Sequence, residues 1–160
     1  MAKNIKQLEA QLSAYMKSAM VIAQSKVHQC IDSFIKQYYA EYTPTEYERT
    51  YSFYNSLVKS DIKYSGNECY CSVYIDMDMM DYYRHNSYDV IEMINRGFHA
   101  DTSMNGGTRI SGGYTSNPYN AKRDIKGTRF WDEGLSEVYK TNLILETFAN
   151  YMKSKGLIVR

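Results

Sequence analysis

The sequence predicts a single α+β domain, framed by a long amphipathic helix at each end around a short antiparallel β-hairpin. Three observations lead there. Apolar residues recur every three or four positions over roughly the first forty residues, every second position between Val58 and Ile75, and again at helical spacing after Gly127.

In the first segment Ile5, Leu8, Leu12, Tyr15, Ala19, Ile22, Val27, Cys30, Ile31, Phe34 and Tyr38 fall on one helical face, and that face is expected to be buried. Gln7, Glu9, Lys17, Ser25, Gln29 and Lys36 fall largely elsewhere. A helix over about 4–39 is roughly 50 Å long at 1.5 Å per residue. Such a helix outruns its own core, so it is expected either to reach a neighbouring subunit or to bend. Tyr42-Thr43-Pro44-Thr45 ends it, because proline disfavours helical geometry in the residue before it. Beyond lies either a short helix capped by Thr45 and running through Tyr54, or an irregular stretch.

The period then changes to two. Val58, Ser60, Ile62 and Tyr64 alternate with Lys59, Asp61 and Lys63, and Cys69, Cys71, Val73 and Ile75 alternate with Glu68, Tyr70, Ser72 and Tyr74. Joined by Ser65-Gly66-Asn67, the two runs predict a hairpin whose Val, Ile and Cys face lies on the helices. Asn86 or Ser87 is a candidate cap for a short helix through Val90, Ile91, Met93 and Ile94, which Gly97 would end. Over about 101–127 the pairs Gly106-Gly107, Gly112-Gly113 and Asn117-Pro118 predict a long mobile loop, and loops of that length are usually functional or disordered. Thr128 is the expected cap of one last helix, with Asp132 and Glu133 in its first turn. Trp131, Leu135, Val138, Leu145, Phe148 and Met152 are expected on its buried face, with Gly156 as its C-terminal cap. Leu157-Ile158-Val159 then adds a short strand or packs on the core. No internal repeat is visible.

A chain of 160 residues fits one domain, able to bury about 68–70% of its unfolded surface without disulfides or metal. With 19 basic and 18 acidic residues it carries no global field for nucleic acid, and 44% hydrophobic residues exclude an acidic disordered chain. An odd cysteine count argues against a secreted disulfide framework, so Cys30, Cys69 and Cys71 read as small buried hydrophobes in a reducing compartment. Neither a secretory leader nor a run of ~18 apolar residues is present in the sequence, so a cytoplasmic protein is expected. The 17 tyrosines suit extensive interfaces, or else reflect a coding bias toward Tyr, Asn, Ile and Lys.

No constellation announces a chemistry. Asp76, Asp78 and Asp81 lack the glycine and closing glutamate of a calcium loop, leaving a solvated turn as the simpler reading. His28, His85 and His99 form no i, i+4 pair, and neither HExxH nor CxxC occurs. There is no GxSxG elbow, and the glycine pairs lack the lysine and helix of a phosphate loop. Arg109, Lys122, Arg123, Lys126 and Arg129, with Tyr114 and Tyr119 among them, make the late loop basic. Contact with nucleic acid is one reading of that loop, and ordinary surface charge is the favoured one. No catalytic residue, metal or cofactor is therefore expected.

The element order, with particular residues along it, resembles a known family. Arg49-Thr50 and Asn55-Ser56-Leu57 lead into the first strand, and Val90-Ile91-Glu92 with Gly97 precedes the variable loop. Phe130-Trp131 and Gly134-Leu135 open a C-terminal helix that ends in Lys155-Gly156 and an apolar tail. In these features the chain is similar to the tail-completion or neck proteins (minor tail components) of siphovirus-like tailed bacteriophages. The resemblance implies a structural virion protein without catalysis, forming a ring in head–tail joining or tail completion. It implies copies of itself and neighbouring connector or tail-tube proteins as partners, with no membrane and no specific nucleic acid. Its location would be the virion, and the host cytoplasm during assembly. Asn105, Arg109, Tyr114, Tyr119, Lys122 and Arg123 are then the candidate assembly-interface residues of the loop. Two alternatives stay open: a small ligand- or metal-binding enzyme-like domain with a site near 76–99, and a phage regulator acting by protein binding.

Overall fold

A computed structural model describes residues 4–41, 51–65, 68–80, 87–98, 108–110, 113–115 and 125–158. In chain order the elements are α1 (Ile5–Glu41), α2 (Ser52–Asn55), β1 (Leu57–Lys59), β2 (Lys63–Ser65), β3 (Glu68–Tyr70), β4 (Val73–Ile75) and a 3₁₀ turn (Met77–Met79). Then follow α3 (Ser87–Arg96), β5 (Gly97–Phe98), β6 (Thr108–Ile110), β7 (Gly113–Thr115), β8 (Ile125–Lys126), α4 (Phe130–Lys140) and α5 (Leu143–Ser154). The class is α+β, with all strand pairs antiparallel. The proposed Thr45 cap lies outside the described residues.

The chain divides into two compact units, and α1 and α4 contribute residues to both. One comprises Met1–Ser33, Leu57–Ile75 and Leu135–Arg160; the other comprises Phe34–Ser56 and Asp76–Gly134.

In the first unit α1 begins where Asn4 accepts the Gln7 amide on its Oδ1 at 2.9 Å, a side-chain cap on the helix N-terminus. Ala19, Ala23 and Ile31 are its buried apolar positions in this unit. The hairpin forms as expected but carries a bulge. Leu57 pairs with Ile75 and Lys59 with Val73, whereas Lys63 pairs with Tyr70 and Tyr64 with Cys69. Three residues, 60–62, thus stand across from two, 71–72, and the extra residue inverts the alternation of the first strand. Leu57 and Lys59 share a face with Val73 and Ile75. Val58, expected on that face, instead lies across from the exposed Tyr74. Beyond the bulge Tyr64 returns to the helix side, where Lys17 sits over its ring at 4.1 Å.

Gln24 of α1 fills the irregularity. Its buried Nε2 donates to the Ser60 carbonyl at 2.8 Å and to the Ser72 carbonyl at 2.9 Å. The Ser72 amide donates to Ser60 Oγ, not to the Ser60 carbonyl, so Gln24 supplies a donor the ladder has withdrawn. His28 Nε2 bonds the Leu57 carbonyl at 3.0 Å, and Lys59 Nζ reaches Ser25 Oγ at 3.3 Å.

The single last helix expected from the sequence is two helices. Asn142 takes left-handed geometry (φ 47°, ψ 35°), and its amide turns to the Tyr139 carbonyl, three residues back. The break changes the helical phase, so Leu145, expected inside, is 70% exposed. Gly156 (φ 78°) ends α5 as expected: its amide bonds the Lys153 carbonyl and the Leu157 amide the Met152 carbonyl, a Schellman pair.

Within α5 the Thr147 hydroxyl is buried (3% exposed) and finds no hydrogen-bond partner. Thr147→Val, which keeps the shape and removes the stranded hydroxyl, is expected to raise stability by about 1 kcal/mol in urea denaturation. A loss of similar size would show that the hydroxyl has a partner in solution.

The second unit is built on aromatic rings. Phe53 of α2 and Phe130 of α4 are buried and meet edge to face at 5.2 Å, with Tyr38 and Tyr39 each 6.2 Å from Phe53. Ile35 is buried in the same unit. Thr128, expected to cap the last helix, instead turns back to α3, its amide and hydroxyl both donating to the Ile94 carbonyl. The cap comes from the buried Asn95, whose Oδ1 accepts the Trp131 amide at 3.1 Å while its carbonyl accepts the Arg129 amide at 2.7 Å. A partner 36 residues away in sequence thus does what a local threonine was expected to do.

Candidate functional site

The late loop expected over 101–127 contains one ladder, β6–β7, and one strand, β8, of a second. β5 pairs with β8, Gly97 opposite Lys126 and Phe98 opposite Ile125, which closes the base of the segment. β6 and β7 pair antiparallel with Arg109 directly opposite Tyr114, so the backbone register brings two of the six candidate interface residues together. Asn105, Tyr119, Lys122 and Arg123 lie outside the described residues. The signal for β6–β7 was a Ser111-Gly112 link between two short runs of β-forming residues, too brief to register as periodicity.

Among the described residues, Asp76 and His28 are both engaged within the fold. Asp76 Oδ1 accepts the Asp78 amide at 3.1 Å, so this carboxylate caps the 3₁₀ turn. His28 is engaged with the Leu57 carbonyl, while His85 and His99 lie outside the described residues. Burial raises the pKa of Cys30, and the Glu137 carboxylate adds to the shift. Burial likewise raises Cys71, with Cys69 as a second cause. Both groups stay protonated thiols at neutral pH, a form that is a poor nucleophile and a poor metal ligand. Among the described residues no three His, Cys, Asp or Glu side chains converge in a manner that suits a metal ion. Nor is any described helix long and apolar enough to cross a membrane.

What the structure does present is apolar surface in the first unit. All of residues 4–14 are exposed, so α1 continues for about three turns past its buried positions. The stripe expected to be buried there is in solvent: Ile5, Leu8 and Leu12 are 74%, 55% and 43% exposed. These three positions lie on the same side as Ala19 and Ala23, so the stripe continues the core-facing side of α1 beyond the core. A second patch lies at the α4–α5 junction, where Tyr139, Ile144 and Leu145 are all exposed. Sequence periodicity finds such residues but cannot tell whether anything covers them.

Neither the curated proteins nor the solved structures include a significant match to the chain. The model of the YomN family does match, over residues 4–154. That span takes in α1, the bulged hairpin, the aromatic unit and both C-terminal helices. The protein therefore belongs to the YomN family, a family of phage origin.

Proposed function

We propose that this protein is a non-enzymatic structural part of a tailed-phage virion, which acts in head–tail joining or tail completion by assembling into a ring with copies of itself. The observation that carries the reading is the N-terminal end of α1. Asn4 caps a helix end about three turns beyond the core, and the intervening turns carry Ile5, Leu8 and Leu12 in solvent. Short helical segments are marginal in water unless an apolar face is packed. A defined, capped helix end with its apolar face bare is what a subunit holds ready for assembly. Family membership supports the phage setting. In this reading the neighbours in the virion are connector or tail-tube proteins, and the protein resides in the host cytoplasm until it is incorporated.

The test is a phage whose copy of this gene is interrupted, examined by electron microscopy of the lysate. Filled heads and tails that remain unjoined, or tails of defective length, are the expected products, and the protein's peptides should appear in mass spectra of purified wild-type virions. Normal virions from the interrupted phage, or wild-type virions lacking the protein, would overturn the reading.

A further inference from the structure

Two of the exposed apolar groups in the first unit stand at opposite ends of its helices, and their placement says how copies would meet. The C-terminal helices run antiparallel to α1. Lys155, just past the end of α5, lies 5.9 Å from the Tyr15 ring, while Glu137 in α4 acts on Cys30. The α1 stripe of Ile5, Leu8 and Leu12 therefore extends beyond the C-terminal end of α5. Tyr139, Ile144 and Leu145 surround the opposite end of that helix. At 1.5 Å per residue the two patches stand about 25 Å apart along the helix axes.

We propose that the protein self-associates head to tail, the α1 stripe of one copy seating on the Tyr139–Ile144–Leu145 patch of the next. This rests on the self-assembly reading above and specifies its interface.

Area is the first argument. Each patch offers apolar surface on the order of 300 Å², the scale of the largest, often functional, patch on a monomer. A stable pairwise interface buries about 800 Å² per partner, more than half of it apolar. A single contact between two such patches falls short of that in either arrangement, and two copies joined stripe to stripe would also leave the junction patch of each in water. In head-to-tail contact every copy inside the assembly covers both patches, so the burial per copy doubles.

Charge is the second argument. The stripe is bordered by exposed Lys6 and Glu9, and the junction patch by exposed Lys140 and Glu146. Laid antiparallel, the Lys6 end of the stripe lies toward Glu146 and the Glu9 end toward Lys140, so neither end opposes like charges. A head-to-tail contact of this kind closes into a ring if its rotation allows and otherwise continues as a filament.

The full-length chain carries the test, read by light scattering after gel filtration. Wild type is expected as a multimer of the 18.6 kDa chain. Leu8→Asp and Leu145→Asp each place a charge in one patch and are expected to run as monomers with unchanged circular dichroism. Val21→Asp, at an exposed position on the other side of α1, is expected to leave the multimer intact. The decisive sample is an equimolar mixture of the Leu8→Asp and Leu145→Asp chains. The first keeps a sound junction patch and the second a sound stripe, so the mixture should form a dimer of twice the chain mass and nothing larger. A mixture that stays monomeric, or a Leu145→Asp chain that assembles like wild type, overturns the head-to-tail contact while self-assembly stands. A wild type that is monomeric up to its solubility limit removes self-assembly and this interface together.

Discussion

Phe53→Ala is expected to cost about 3–5 kcal/mol in urea denaturation, the range for emptying a buried phenylalanine site. The helix that carries it, α2, is only four residues long, and an isolated turn of helix has no stability of its own. What holds it is the ring: Phe53 is buried, meets Phe130 edge to face at 5.2 Å, and has Tyr38 and Tyr39 each at 6.2 Å. Its neighbour Tyr51 provides the comparison. That residue is stacked on Tyr39 at 5.3 Å but half exposed, with left-handed backbone at φ 57°. Losing a half-exposed ring forfeits only part of its burial, and relief of backbone strain opposes even that. Tyr51→Gly is therefore expected to lie within about 1 kcal/mol of wild type. Equal losses from the two substitutions would mean that the aromatic cluster does not hold this unit in the way its geometry indicates.

Much of the frame is legible in the residues, and the failures have identifiable physical causes. The long helix and the hairpin declare themselves by period, and Gly156 by the left-handed geometry that only glycine takes without strain. The bulge does not, because Ile62 and Tyr64 keep an even spacing from Val58 across the polar Lys59-Ser60-Asp61, while hydrogen bonding skips a residue there. The break at Asn142 is masked in a similar way. Val138 and Leu145 are seven apart, a spacing that reads as one uninterrupted face unless asparagine's tolerance of left-handed backbone is given weight. Asn95 as the cap of α4 depends on a contact that no local pattern encodes. For the candidate site, periodicity located the α1 stripe but assigned it to the core. Burial depends on what lies against a helical face, and the spacing of apolar residues along the chain does not carry that. Of the six loop residues singled out, only the Arg109–Tyr114 cross-strand pair falls among the described residues.

Gln24→Leu should cost about 2 kcal/mol, although leucine is similar in size and more hydrophobic. The loss comes from hydrogen bonds. One amide nitrogen serves both the Ser60 and Ser72 carbonyls, and a typical net contribution is about 1 kcal/mol each. Ser72 keeps its bond from the Ser60 amide at 3.0 Å. The Ser60 carbonyl keeps nothing from the ladder, because the Ser72 amide is committed to Ser60 Oγ. Gln24→Glu sharpens the test, since it preserves shape and places acceptors against acceptors. A carboxylate there faces two carbonyl oxygens without a donor, so the folded state favours the protonated acid and holds its pKa above the unfolded value. With the folded pKa raised, the variant's stability is greatest below the ordinary glutamate pKa of about 4.3 and is lost as the pH rises through the folded pKa. At neutral pH it should therefore be less stable than Gln24→Leu, and it should regain ground on acidification relative to wild type. A Gln24→Glu protein whose stability tracks wild type across that pH range would show that the glutamine is not the group that seals the bulge onto α1. If it is, the same side chain that corrects the hairpin's register also ties the hairpin to the helix whose first turns carry Ile5, Leu8 and Leu12 in solvent.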